Sequence, residues 1–194
     1  YLDNNFKWFS SDILIGYSKE NSKIWKAKTI SFELFCAEQT IGQQGVFWEN
    51  NCFKKPWFDE DLQYVMDHKF FINLYKIYGP PKCLKITGAF FRIHYDSKTS
   101  RLEEILFKER KKITLQASSL ANNRNQKRNI ILEMKRLDLK IAIKKEFSIM
   151  LTKLKFKYKF LSFLNILFIF MKTPFKFRDR FFLGYIKKSL NLFK

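Results

Sequence analysis

Cysteine is scarce in this chain of 194 residues, which has only Cys36, Cys52 and Cys83. The number is odd and no two form a CxxC pair. Neither a disulfide framework nor a cysteine zinc site is suggested, and reduced, buried thiols are the expectation. An apolar run of the roughly 20 residues that a membrane-spanning helix needs is also missing. The nearest approach, FLSFLNILFIFM over Phe160–Met171, has twelve residues. No basic leader with a cleavage site opens the chain, and no motif of a nucleic-acid-binding module occurs in it. The first residue is Tyr rather than Met, so the expectation is that the true N-terminus lies upstream. Acidic residues thin out along the chain. Residues 1–100 carry 13 Lys and Arg against 11 Asp and Glu, a net +2, whereas residues 101–194 carry 24 against 7, a net +17. A basic partner surface therefore belongs to the second half. What is abundant is Lys, Phe, Ile and Asn, and the 23 Phe follow from that bias without defining an aromatic binding surface.

The informative stretch is Ile41–Ser100, where a polar-apolar strand, an acidic turn, a helix and a polar loop follow one another. Phe58-Asp59-Glu60-Asp61 supplies turn and capping carboxylates. Beyond it Met66, Phe70, Leu74 and Ile77 recur at helical spacing until Gly79-Pro80-Pro81 stops the helix. Asp67 stands near the start of that helix and has two readings. It can accept free backbone N–H groups and complement the helix dipole. Alternatively, if it faces a cleft, an ionised carboxylate there can take a proton from a hydroxyl.

Three elements in order carry a resemblance. They are Gly42-Gln43 with Phe47-Trp48; Phe58-Asp59-Glu60 with Tyr64-Val65-Met66-Asp67; and Gly88-Ala89-Phe90-Phe91-Arg92-Ile93-His94 with Ser97, Lys98 and Ser100. Together they resemble the C-terminal half of an inverting family 2 glycosyltransferase. The resemblance implies an α/β fold: the acceptor-side part of a nucleotide-sugar glycosyltransferase A-type fold, followed by a basic amphipathic helical tail. It makes Asp67 the base that deprotonates the acceptor hydroxyl. It brings Arg92 and His94, and less directly Lys98, near the donor diphosphate, with His94 a neighbour of any metal-diphosphate. Gln43 either hydrogen-bonds substrate or closes a loop. The resemblance also implies a divalent cation, Mg or Mn, in the full-length family. No DxD segment precedes the matched region here, and Leu2-Asp3-Asn4-Asn5 offers one carboxylate, a poor divalent site. The donor-binding half and its metal ligands are therefore expected to be absent from this chain. Glu49 and Asn50 replace two arginines of the family pattern, Lys69 an Asp, Phe71 a Trp and Asn73 an Arg.

Elsewhere, Asp12–Tyr17 reads as a buried strand entered through Lys7-Trp8-Phe9, and Ile24–Ala27 as a second strand. Ser31–Glu38 reads as a short helix with Phe32 and Phe35 inward. Trp48 reads as a core anchor. Lys82–Ile86 and Ala89–Ile93 read as two short strands around Gly88. Amphipathic helices are expected over Leu102–Leu115 and Ile130–Leu154, with a polar loop at Ser118–Gln126 between them. Phe160–Met171, flanked by lysines, suits either an interfacial segment on anionic lipid or a helix packed on the catalytic half with a solvated basic face. The expected division is a partial glycosyltransferase domain over 1–115 and a basic Phe/Lys-rich tail over 116–194.

Three functions compete. The first is a glycosyltransferase fragment using a nucleotide-sugar donor and a glycan or lipid-linked acceptor, in cell-envelope polysaccharide or glycolipid synthesis at the cytoplasmic face of a membrane. The second is a non-catalytic remnant that binds an anionic membrane surface. The third is a basic nucleic-acid-binding protein, favoured by charge alone, and no specific nucleic acid is expected.

Overall fold

A computed structural model describes residues 6–51, 58–94, 103–152, 156–173 and 180–192. Cys52, Ser97, Lys98, Ser100 and the Leu2–Asn5 segment lie outside the described residues. The chain is mixed α and β and packs as two compact units, Tyr1–Met134 and Lys135–Lys194.

The first unit is built on one strand, β1 (Trp8–Gly16). β4 (Lys82–Arg92) runs parallel to it along one edge, from Phe9↔Lys82 to Gly16↔Arg92. A strand has only two bonding edges, so β3 (Val46–Trp48) and β2 (Ser22–Trp25) divide the other between them, both antiparallel. β3 pairs with Trp8–Ser10 and β2 with Ile13–Gly16. The two short strands expected around Gly88 are one strand interrupted by a bulge. Ser11 faces Leu84, yet Asp12 faces Thr87 and Ile13 faces Ala89, so β4 carries extra residues there. Gly88 permits the close approach, since an added Cβ would lie 2.3 Å from Ser11 Oγ.

α1 (Phe32–Ala37) begins where Ser31 Oγ accepts the Leu34 N–H at 3.3 Å, and it buries Phe32 and Phe35 as its spacing predicts. α2 (Met66–Tyr78) ends at Gly79, whose φ of +80° is accessible to glycine at little cost. Its buried face is His68, Phe70, Phe71, Ile72 and Leu74, while Ile77, expected inward, is exposed near the helix end. Trp8 and Val46 project from one face of the sheet into this core. The Trp8 ring stacks on Phe71 at 6.1 Å and meets Phe35 edge-on at 6.4 Å, and its Nε1–H donates to the Gly79 carbonyl at 3.0 Å. Trp48 packs edge-on against Phe70 at 5.1 Å and is a core anchor. α3 (Glu103–Ser119) adds Ile113 and Ala117 to the same cluster, and α4 (Arg124–Leu151) adds Ile130. The polar loop between these helices is shorter than expected, because α3 continues to Ser119 and α4 starts at Arg124.

Two departures from the resembled pattern have local partners. Lys69 pairs with Asp59, and Glu49 with Lys7 at 2.6 Å. Of the described cysteines, Cys36 is buried and its thiol is pushed up to about 12 by burial, so it is chemically inert at neutral pH. Cys83 is free and half-buried.

In the second unit α5 (Phe156–Lys172) and α6 (Arg180–Asn191) accompany the later part of α4. Ile143, Met150, Ile166 and Phe182 are buried, and Tyr185 meets Phe147 and Phe181 with ring centroids at 5.1 and 4.9 Å. Among the described residues no helix is long and apolar enough to cross a membrane.

Candidate functional site

Beside the start of α2 the first unit opens a cavity of about 460 Å³, lined among others by Trp25, Gln39, Gln43, Tyr64, Asp67, Phe91, His94 and Arg110. Each wall has an identifiable origin. Gln43 opens a 3₁₀ turn (Gln43–Gly45) whose entry residue, Gly42, lies against β1; an added Cβ at Gly42 would stand 2.2 Å from Ile13 Cδ1. That contact seats the turn beside Trp25, which pairs with Ile13 at the end of β2. Past the bulge, β4 brings Phe91 to the cavity, and His94 follows just beyond its last residue. α3 contributes Arg110.

The fourth wall is the N-terminus of α2. Its cap residue, Val65, has no side chain able to accept a hydrogen bond. The acidic turn does not supply the cap either. Asp59 instead closes its own turn, accepting the Asp61 N–H at 3.1 Å, and pairs with Lys69. The segment that leads into the helix is held instead by Glu109 on α3. The Glu109 carboxylate accepts the N–H groups of Gln63, Tyr64 and Val65 at 2.9, 2.8 and 3.3 Å. These charge-assisted bonds tie the segment that presents Asp67 to a different helix. Glu109→Ala is therefore expected to lower unfolding stability by about 1.5–3 kcal/mol, the usual worth of hydrogen bonds to a charged group. Urea titration checks this, and a loss under ~0.5 kcal/mol, typical of an ordinary surface change, would contradict it.

Asp67 is the second residue of α2. Its Oδ2 accepts from Gln39 Nε2 at 3.0 Å and its Oδ1 from the His68 N–H at 2.8 Å. Asp67 thus accepts a backbone N–H of its own helix, and it also faces a cleft, which is the condition that the proton-acceptor reading sets. Burial raises its pKa above the ordinary carboxylate value. The Gln39 and His68 bonds and the Arg110 charge act in the opposite direction. Arg110 in turn is partly desolvated, which lowers its pKa, while Glu38 and Asp67 hold it up. Its Nε is buried with no hydrogen-bond partner, which leaves one donor of the guanidinium unused. His68 points away from the cavity into the core, with Nε2 at 2.7 Å from the Phe35 carbonyl.

Comparison with protein-family models, with curated proteins and with solved structures finds no match to this chain. Of the residues singled out in the sequence, Asp67, Gln43 and His94 line the one cavity, although 24 and 27 positions separate Asp67 from the other two. Arg92 is exposed and is not among the lining residues. Strand alternation turns it away from the face that presents Phe91. Lys98 lies outside the described residues. Trp25, Gln39 and Arg110 belong to the site without having been marked in the sequence. Only strand pairing brings Trp25 there, and Arg110 is one cation among several in a basic helix. As to the divalent cation, among the described residues no three His, Cys, Asp or Glu side chains converge as a binding group. Asp67 and His94 are the side chains of these types in the cavity lining, too few to fit such an ion.

Proposed function

We propose that this chain carries the acceptor-side half of an inverting glycosyltransferase, with Asp67 as the base. The observation that carries the reading is the meeting of Asp67, Gln43 and His94 around one cavity, at the positions where the resemblance to family 2 glycosyltransferases assigns substrate-facing roles. The cavity volume falls in the range of small-molecule sites, roughly 300–1,000 Å³. Its surfaces suit a sugar. Trp25 and Phe91 offer apolar area to the C–H faces of a ring, and the amides of Gln39, Gln43, Gln44 and Gln63 offer paired donors and acceptors to hydroxyls.

The chemistry follows from Asp67. A free hydroxyl is a poor nucleophile, and the carboxylate removes its proton as the oxygen forms the new bond to the anomeric carbon. The bond to the nucleoside diphosphate breaks on the opposite face, so configuration inverts. A raised pKa makes Asp67 a stronger proton acceptor, and the Gln39 and His68 bonds favour its ionised form and orient it. Arg110 and His94 supply donors toward developing negative charge. The reading requires a donor-binding half, with its cation, in addition to the elements described here. Acceptors on glycans or lipid carriers of cell-envelope synthesis match the setting the resemblance implies.

The test is transfer from a panel of nucleotide sugars by the chain joined to or mixed with such a donor-binding half, with the product's anomeric configuration read by NMR. A product of inverted configuration supports the reading. A retained configuration, or no transfer from any donor when the donor half is shown to bind nucleotide, contradicts it.

A further inference from the structure

α5 is apolar on almost every side, so burying one face of it leaves a second apolar face uncovered. Its buried face includes Ser162, Ile166 and, just past its end, Thr173. The arc turned to solvent carries Phe160, Leu161, Leu164, Phe168 and Met171, which are between 43% and 65% exposed. These five recur at helical spacing, so they form one stripe rather than scattered single residues. Cations border it. Lys159 precedes the stripe, and Lys172 closes it with its ammonium 4.1 Å from the Phe168 ring centroid. The unit that holds the helix, residues 135–194, has 16 Lys and Arg against 3 Asp and Glu, a net +13.

We propose that α5 lies in the surface of an anionic lipid bilayer, with the Leu161–Leu164–Phe168 face in the acyl boundary and the flanking lysines on the headgroups. Charge complementarity selects this occupant. A second copy of the chain would bring two strongly positive units together, at a Coulomb cost that low dielectric would sharpen. A nucleic acid would satisfy the lysines and leave the apolar stripe in water. An anionic bilayer takes both the stripe and the charge, and the helix is too short and too polar at its ends to cross it. The inference stands whether or not the cavity of the first unit transfers sugar.

The experiment is partition of the whole 194-residue chain onto vesicles of phosphatidylglycerol in phosphatidylcholine, beside vesicles of phosphatidylcholine alone. Binding is expected to need the anionic lipid and to persist in part at about 0.5 M NaCl, where surface charge attraction is largely screened. The double variant Leu164→Gln/Phe168→Gln keeps every charge and alters only exposed positions. It is expected to melt as the parent does and to partition at least about tenfold more weakly. Unchanged partition of a folded variant would overturn the proposal. So would complete release of the parent chain by salt, a result that needs no variant. Indifference to vesicles together with a dimer in sedimentation velocity that the variant dissolves would make a second copy the occupant. Equal competition by a nucleic acid, unaffected by the double substitution, would overturn it in favour of phosphate binding.

Discussion

Asp67→Asn is expected to slow the proposed transfer by about 10²–10⁴-fold, the usual contribution of a positioned general base, while leaving donor affinity nearly unchanged. The substitution is close to isosteric. Asn can still accept the His68 N–H through its oxygen, and a rotation of the Gln39 amide toward the new NH₂ group would cost only its 3.2 Å bond to the Ile41 carbonyl, so the fold of the cavity wall is retained. What is lost is an acceptor for the hydroxyl proton. A base acts in the transition state more than in the ground state, so kcat should fall while the donor Kd, measured calorimetrically, stays put. Turnover equal to the parent's would remove Asp67 from the mechanism. A fall confined to KM would make it a substrate-binding group instead.

His68→Gln is expected to flatten the acid side of the stability profile. His68 is fully buried, its Nε2–H donates to the Phe35 carbonyl, and its Nδ1 has no hydrogen-bond partner. Burial, with a smaller contribution from the nearby Arg110 charge, lowers its pKa from 6.5 to about 4, and the bond to Phe35 opposes the shift. Above about pH 6.5 the ring is neutral in both the folded and the unfolded chain, so it adds no pH dependence. As the pH drops below that value the unfolded chain takes up a proton that the folded chain refuses, and stability falls until the folded ring also protonates near pH 4. At about 1.36 kcal/mol per pH unit the loss across the window is about 3 kcal/mol. Asp67 works with the opposite sign. Its raised pKa makes the folded state hold a proton more readily than the unfolded state, which adds stability as the pH falls. The difference between parent and His68→Gln profiles separates the two, because the carboxylate is common to both. Urea midpoints between pH 4 and 7 should converge toward acid pH, where the parent loses its advantage, and parallel curves would contradict the assignment.

Much of the scaffold around Asp67 is legible in the amino-acid order, for reasons that are local. Ser31 before Phe32 and Phe35, and Gly79-Pro80-Pro81 after the α2 stripe, are signals a short segment carries alone. The start of α1 with its buried Phe32 and Phe35, and the end of α2, follow from them. The division of β4 into two strands misreads Gly88, which is there because Ser11 of a distant strand comes close. No short-range pattern contains that information. The same limit governs the site. Glu109 looks like an interruption in the apolar stripe of α3, and Arg110 like one more cation on it. Their roles appear only when α3 packs against the start of α2. His68, next to Asp67 in sequence, faces the core because successive helical residues point about 100° apart, so adjacency to a site residue says nothing of membership. Ile77 follows the helical period yet is exposed, because the face that packs on the core runs through Phe71, Leu74, Tyr75 and Tyr78 and leaves Ile77 to its side.

The claim that Asp67 takes the acceptor's proton is tested most directly by the pH dependence of kcat/KM for transfer, measured in the presence of the donor-binding half for the parent chain and for Gln39→Leu. The Gln39 amide favours the ionised carboxylate, so its removal should move the acid limb of the profile to higher pH. Asp67→Asn should lose that limb altogether. A limb at the same pH in parent and Gln39→Leu, or one that survives in Asp67→Asn, would show that another group carries the proton.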